Sequence, residues 1–181
     1  MDCTIHDCDE AAVQRFATTE APYHYVNSGL PNVFLSGVKY RVCEDCKKQE
    51  ADIPALKQLL ESIARALVEK HSKLNGPEIK FLRKRLQKKQ AEFANLLSVT
   101  PQRLSTLENS PKPEMDEVRE KFLRTIYPIL SEDTKLRQAL DDRDEFERWM
   151  ASISESDEGE SIHATWHRRQ WKVSTEPSMV A

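Results

Sequence analysis

The sequence predicts a mainly α protein that begins with a small β module and ends with a helical, partly flexible extension. Short β-prone runs and all four cysteines fall within residues 1–50. From residue 53 onward, apolar residues recur at steps of three and four, which is the spacing of amphipathic helices. Residues 152–160 are acidic and poor in apolar side chains, which is typical of a flexible linker.

The composition favours small modules joined by exposed segments. The chain has 181 residues, of which 39% are hydrophobic and 31% charged, and its mean hydropathy is -0.66. Four glycines are too few for a Gly-rich nucleotide-binding fold. The chain contains no apolar run of about 18 residues that could span a membrane. Its N-terminus lacks the basic and then apolar layout of a signal peptide, so we expect a cytoplasmic protein.

The N-terminal module contains three candidate strands. Residues 23–26 and 32–35 are β-prone and flank the turn residues 27–29, and residues 38–42 alternate in polarity. They predict an antiparallel sheet of two or three strands, which is too small to be stable without a crosslink.

The cysteines form two close pairs, Cys3 with Cys8 and Cys43 with Cys46, which is the layout of a tetrahedral zinc site. The metal would supply the crosslink that the small sheet lacks, and His6 could replace Cys3 or Cys8. A redox role would need a βαβ context, disulfides are rare in cytosolic proteins, and four thiolates leave no position for a catalytic water. We therefore predict structural zinc.

Residues 53–70 predict an amphipathic helix, with Asp52 as its N-cap and Pro54 in its first turn. Its apolar stripe must be covered, either by the N-terminal module or by a second copy of the chain. Residues 51–72 are thus predicted to be a linker helix and a possible dimer contact.

The net charge of -3 conceals one basic block. Residues 70–112 contain ten Lys and Arg against three Asp and Glu, a balance of +7 in an otherwise acidic chain. A polyanion could bind this block. A solvated helical face is the alternative explanation.

Three helices are predicted within the basic block. Asn75 and Glu78 have capping-box spacing before the first helix. A second helix over residues 90–97 and a turn at 98–99 lead to a third, which Thr100 caps and Pro101 begins.

This is the helix-turn-helix pattern, in which the last helix enters the major groove of DNA. Gln102, Arg103, Ser105 and Thr106 face outward, and such side chains can read bases or grip phosphate. Further phosphate contacts are expected from Lys80, Lys84, Arg85, Lys88 and Lys89. The alternative is a plain three-helix packing unit whose basic residues only solvate it.

Residues 90–94 and 100–109 together resemble the Cro/C1-type (XRE) helix-turn-helix of phage repressors. The resemblance implies that Pro101, Gln102 and Thr106 occupy base-reading positions beside Arg103, and that Gln90 and Asn109 contact phosphate. It also implies a buried ion pair between Arg83 and Glu108. Because Ser98 stands where the turn usually has Gly, we expect it to adopt a left-handed or otherwise strained backbone.

A wider resemblance covers residues 1–130. The cysteine pairs, residues 28–35 and residues 78–83 look like the MqsA/YgiT-type zinc-finger plus helix-turn-helix regulators. That family includes antitoxins that repress their own operons as dimers. The full prediction is then a zinc-binding β module (1–50), a linker helix (51–72), a five-helix Cro/C1-type DNA-binding domain (73–130) and an extension (131–181).

Within the extension, Ser131 is a candidate cap for a further helix, and Trp166 and Trp171 lie in a basic-aromatic tail that could dock on a partner or on the protein's own core. The histidines are scattered and form no triad or acid–base pair, so no enzyme is predicted. We expect a dimeric repressor that binds double-stranded DNA. The alternative is an antitoxin that binds a toxin protein and represses its own operon.

Overall fold

A computed structural model of the protein describes residues 12–112, 114–131, 133–153 and 160–177. The helices are α1 (Leu56–Glu69), α2 (Gly76–Arg85), α3 (Gln90–Leu96), α4 (Pro101–Asn109), α5 (Glu117–Ser131), α6 (Thr134–Asp141) and α7 (Arg143–Ser152). The strands are β1 (Ala12–Phe16), β2 (Tyr23–His24), β3 (Val33–Ser36), β4 (Lys39–Cys43), β5 (Gln49–Asp52), β6 (Glu160–His167) and β7 (Gln170–Pro177).

The prediction of a mainly α fold is wrong, because the described residues form seven helices and two sheets of three and four strands. The C-terminal tail is a long hairpin of β6 and β7. Its residues alternate with period two: Ile162, Ala164 and Trp171 are buried, whereas their sequence neighbours are more exposed. The alternation was concealed by the basic and aromatic character of the tail.

The predicted N-terminal strands belong to different sheets. Strand β4 pairs antiparallel with β1 and β5, whereas β2 and β3 form a four-stranded sheet with the C-terminal hairpin. In that sheet β3 pairs in parallel with β6, in the register Val33↔Ile162. The N-terminal segment therefore gains its stability from strands that lie more than a hundred residues further along the chain.

The C-terminal hairpin also covers helix α1. Leu59, Ile63 and Leu67 are fully buried on this helix, which packs against β6 and β7. The indole Nε1 of Trp171 donates a hydrogen bond to the carbonyl of Pro54 at 2.9 Å. The tail was expected to dock either on a partner or on the protein's own core, and in the structure it packs on the core.

Helix α1 begins later than predicted. Its N-cap is Ala55, with a φ of 47° and no side-chain cap, whereas Asp52 is the last residue of β5. Asp52 therefore does not cap the helix, and Pro54 precedes it.

The prediction of a structural zinc ion is wrong for the part of the chain that the structure describes. There, no three His, Cys, Asp or Glu side chains are grouped so that they could hold a metal ion. Cys43 is buried at the end of β4, and Cys46 is half-buried in the following turn. Cys3 and Cys8 lie outside the described residues, as does His6. The support expected from a metal is provided instead by the pairing of β3 with β6.

Four charged side chains are buried where α1, α2 and α5 meet. Lys70 binds Glu78 at 2.8 Å, and Arg124 binds Glu120 at 2.7 Å. We call these four residues the junction cluster. Arg124 also donates to the carbonyl of Ser72 at 2.7 Å, and the N–H of Leu74 donates to Glu120 at 2.8 Å. The cluster thereby ties the loop between α1 and α2 to α5.

The extension (131–181) also differs from the prediction at its first helix and in its linker. Asp133, rather than Ser131, caps α6, because its carboxylate accepts from the N–H groups of Lys135 and Leu136. Glu160, predicted to be linker, already belongs to β6, while residues 154–159 lie outside the described residues. Among the described helices, none has the length and apolar character needed to cross a membrane.

Candidate nucleic-acid interface

Helix α2 begins with the predicted capping box. The side chain of Asn75 accepts from the N–H of Glu78 at 3.1 Å, and Glu78 accepts in return from the N–H of Asn75 at 2.8 Å. Gly76, the next residue, lies against the C-terminal end of α4. A Cβ atom on Gly76 would be 2.2 Å from the carbonyl oxygen of Leu107. Only glycine allows α2 and α4 to approach so closely.

Helices α3 and α4 form a helix-turn-helix unit (residues 90–109). Phe93, Ala94 and Leu104 are fully buried between the helices, and the N–H of Val99 donates to the carbonyl of Ala94 at 3.0 Å. Ser98 has a φ of 53°, which confirms the left-handed turn. Its short polar side chain tolerates this conformation less easily than glycine would.

The first turn of α4 also has the predicted chemistry. The hydroxyl of Thr100 accepts from the N–H of Arg103 at 3.1 Å, and Pro101 occupies the first helical position. Both features stabilise the N-terminal end of the helix that is expected to enter a groove.

The structure places Arg83 of α2 against Glu108 of α4. Its Nε and Nη2 atoms donate to the two carboxylate oxygens at 2.5 Å and 2.9 Å. These hydrogen bonds raise the pKa of the Arg83 guanidinium above its ordinary value. Arg83 also donates to the carbonyl of Lys88 at 3.1 Å. The pair therefore fixes α4 relative to α2 and to the loop before α3.

The outward face of α4 contains the side chains expected to read bases. Pro101, Gln102, Arg103, Thr106 and Asn109 are exposed. Among the described residues, none is hydrogen-bonded to the side-chain amide of Gln102, whereas the Thr106 hydroxyl donates to the Gln102 carbonyl at 3.1 Å. Both side chains are accessible to a ligand that approaches the start of the helix.

Three other predicted site residues already have partners in the free protein. Arg103 lies 3.6 Å from the carboxylate of Glu114, and Asn109 donates to the carbonyl of Ser105 at 2.9 Å. Ser105 itself is half-buried. Because the Arg103 pair is exposed, its replacement by a phosphate or a base would cost little.

The predicted phosphate contacts divide into an exposed and a half-buried group. Lys84, Lys88 and Lys89 are exposed around the C-terminal end of α2 and the start of α3, whereas Lys80 and Arg85 are half-buried on α2. Gln90 is half-buried and its Nε2 atom lies 3.3 Å from Glu108. Its side chain must therefore leave the ion pair before it can contact phosphate.

Sequence reasoning missed Arg119, which fixes the turn from outside. Its Nε donates to the carbonyl of Leu97 at 3.0 Å, and Asp116 orients the guanidinium through a 2.6 Å ion pair. This contact ties α5 to the helix-turn-helix unit. No sequence signal distinguished Arg119 from any other exposed arginine.

Comparison with known proteins adds no assignment. No family model matches the chain, and neither a curated protein nor a solved structure has significant similarity to it.

Proposed function

We propose that the protein is a cytoplasmic, sequence-specific DNA-binding regulator of transcription, a repressor that reads its operator through α4. The observation that carries this proposal is the arrangement of Gln102, Arg103 and Thr106. These side chains are exposed on the first two turns of a helix whose opposite face is buried against α3. That is the geometry in which a recognition helix presents its N-terminal end to the major groove.

The charges near α4 suit a polyanion. Lys84, Lys88 and Lys89 are exposed, whereas the one acidic residue inside the last turn of α4, Glu108, is buried and neutralised by Arg83. Phosphate contacts by such lysines release counterions, so affinity should fall steeply as salt rises.

A single recognition helix contacts only one half-site of an operator. We therefore infer that the protein is a homodimer, in which the two copies of α4 bind two half-sites. The sequence leaves the dimer surface open between the helix predicted over residues 53–70 and residues 114–151. The first of these, α1, has its apolar face buried. Helix α5 instead exposes Val118 (77%), Phe122 (42%) and Ile129 (48%). We therefore assign the dimer contact to α5.

The test is a titration of the protein against DNA from upstream of its own gene, with a scrambled duplex beside it, at two salt concentrations. Gln102→Ala and Thr106→Ala should each weaken selective binding by about 10- to 100-fold, because a good base contact is worth about 1–3 kcal/mol. Lys84→Gln should weaken binding to both duplexes and reduce the salt slope by about one.

Gln138→Ala, an exposed substitution on α6, is the matched control and should leave affinity unchanged. If Gln102→Ala and Thr106→Ala both bind like the wild type, α4 does not read DNA. If no duplex binds at all, the protein instead acts on a protein partner, as an antitoxin that holds a toxin would.

A further inference from the structure

A polar cleft of about 240 Å³ lies between α1, α2, α5 and α6. Its lining residues are Glu61, Arg65, Arg85, Tyr127, Ser131, Asp133, Thr134 and Lys135. A water molecule occupies about 30 Å³ in the liquid, so the cleft has room for roughly eight waters or one small ligand. Nothing in the proposed reading of DNA uses this cleft.

The cleft contains hydrogen-bond donors without acceptors. The Nε atoms of Arg65 and Arg85 are both buried, and neither has a hydrogen-bond partner among the described residues. Arg65 uses only its Nη2 atom, which donates to the two oxygens of Asp133 at 3.2 Å and 2.9 Å. Native proteins rarely bury an arginine N–H without a partner, which is water or a ligand when it is not protein.

The charge balance favours an anion over water. Both acidic residues of the lining are already engaged: Asp133 pairs with Arg65 and caps α6, and Glu61 lies 3.8 Å from Lys57 outside the cleft. Within the described residues, Arg85 and Lys135 have no ion-pair partner. With Arg65, Arg85 and Lys135 against Glu61 and Asp133, the lining keeps a net positive charge around a partly desolvated space.

Neutral donors complete the site. Burial raises the pKa of Tyr127 to about 12, so its hydroxyl remains protonated and can donate at neutral pH. Thr134 supplies a further hydroxyl, and the hydroxyl of Ser131, which donates to the Pro128 carbonyl at 3.4 Å, must turn to reach a ligand. Arginine forks and hydroxyls together are the groups that proteins use to bind tetrahedral oxyanions.

We propose that this cleft binds the phosphate group of a small ligand between the guanidinium groups of Arg65 and Arg85. The ligand bridges the first helix of the DNA-binding unit and the helical extension, since Arg85 belongs to α2 and Lys135 to α6. The ligand binds whether or not the protein recognises an operator. A failed DNA titration would therefore leave this proposal standing, and a failed phosphate titration would leave the proposed function standing.

The test uses the full chain, free of DNA, titrated with inorganic phosphate while the Nε–H signals of its arginines are followed by NMR. The Arg65 and Arg85 signals should shift and saturate, and sodium chloride at equal ionic strength should not reproduce the effect. If neither signal responds beyond the effect of chloride, the cleft holds only water and the proposal is wrong.

Variants localise the effect. Arg85→Gln should weaken phosphate binding by about tenfold or more, since a charge-assisted hydrogen bond is lost, and Tyr127→Phe should weaken it several-fold with little change in packing. Lys172→Gln removes one positive charge from an exposed residue of β7, away from the cleft lining, and should retain wild-type phosphate affinity. Equal affinity in all three variants would overturn the assignment.

A second titration, with a scrambled duplex present in excess, separates the two sources of phosphate. If the Arg65 and Arg85 signals still respond to inorganic phosphate, the site takes a small ligand. If the duplex itself shifts both signals and abolishes the response, the cleft holds a DNA backbone phosphate, and the proposal of a small-ligand site is wrong.

Discussion

Helices α4 and α5 follow one another in the chain but differ in which side chains they bury and which they expose. Helix α4 is conventional, with Leu104 and Leu107 buried and Gln102 exposed. Helix α5 also buries apolar side chains, Leu123 and Tyr127, but it buries the charges of Glu120 and Arg124 beside them. It exposes Val118, Phe122 and Ile129, whereas a surface helix of a monomer normally exposes polar side chains.

The difference indicates that the two helices have different partners. The polar outer face of α4 suits a polar, charged surface such as DNA. The outer face of α5 is apolar and suits a second protein surface. The inner face of α5 holds α1 and α2 in place through the junction cluster, so α5 connects the helix-turn-helix unit with the rest of the fold.

The largest effect on stability should come from the inner face of α5. Arg124→Met leaves Glu120 buried without its charged partner and frees the carbonyls of Val68 and Ser72, which Arg124 now satisfies. Breaking a buried ion pair costs about 3–5 kcal/mol. Urea denaturation should show this loss in the free energy of unfolding, while DNA affinity per folded molecule changes little.

An exposed pair with the same spacing provides the control. Arg143 and Glu147 are also an i,i+4 pair on a helix, but their side chains are 86% and 61% exposed. Arg143→Met should cost no more than about 0.5 kcal/mol. Equal losses in the two variants would show that burial at the junction cluster does not strengthen the Arg124 interactions.

The helix-turn-helix unit was largely predictable because its determinants are local. Capping residues, a tight turn and apolar spacing lie within twenty residues of each other, and each can be read from its neighbours. Thr100 as N-cap and the left-handed Ser98 are both confirmed. The tertiary contact of Arg83 with Glu108 came from family resemblance, since nothing local pairs residues 25 positions apart.

The rest of the fold depends on non-local contacts, which is why sequence reasoning failed there. Strand β3 pairs with β6 across most of the chain, and no local pattern specifies that partner. The predicted N-terminal sheet was too small to be stable alone, which suggested a metal. In the structure it is stabilised by pairing with the C-terminal hairpin of β6 and β7. Likewise, nothing in the sequence distinguishes buried Arg124 from exposed Arg143, because both stand in charged helices.

A medium effect is expected where α2 contacts α4. Gly76→Ala places a Cβ 2.2 Å from the Leu107 carbonyl and 2.4 Å from the Ser110 carbonyl, so the backbone must shift. Such overpacking costs about 1–3 kcal/mol, measurable by urea denaturation, and displacement of α4 should also weaken operator binding.

Gly29→Ala is the control for this substitution. Gly29 has a φ of +82° but nothing within 4 Å of its added Cβ, so alanine brings backbone strain without a clash. It should destabilise the fold without changing DNA affinity. Gly76→Ala with unaltered stability and DNA binding would mean that the close contact does not position α4.

The smallest effect on stability should come from the outer face of α5, where the effect on association should be largest. Phe122→Glu alters a 42% exposed side chain, so the free energy of unfolding of the monomer should change by no more than about 0.5 kcal/mol. The charge would nevertheless separate a dimer that buries this face, and sedimentation velocity should show monomers. Leu56→Glu on α1, at a residue 44% exposed, is the matched control and should leave the dimer intact. A Phe122→Glu protein that still dimerises, or a wild-type protein that is monomeric where it binds DNA, would remove α5 as the dimer contact.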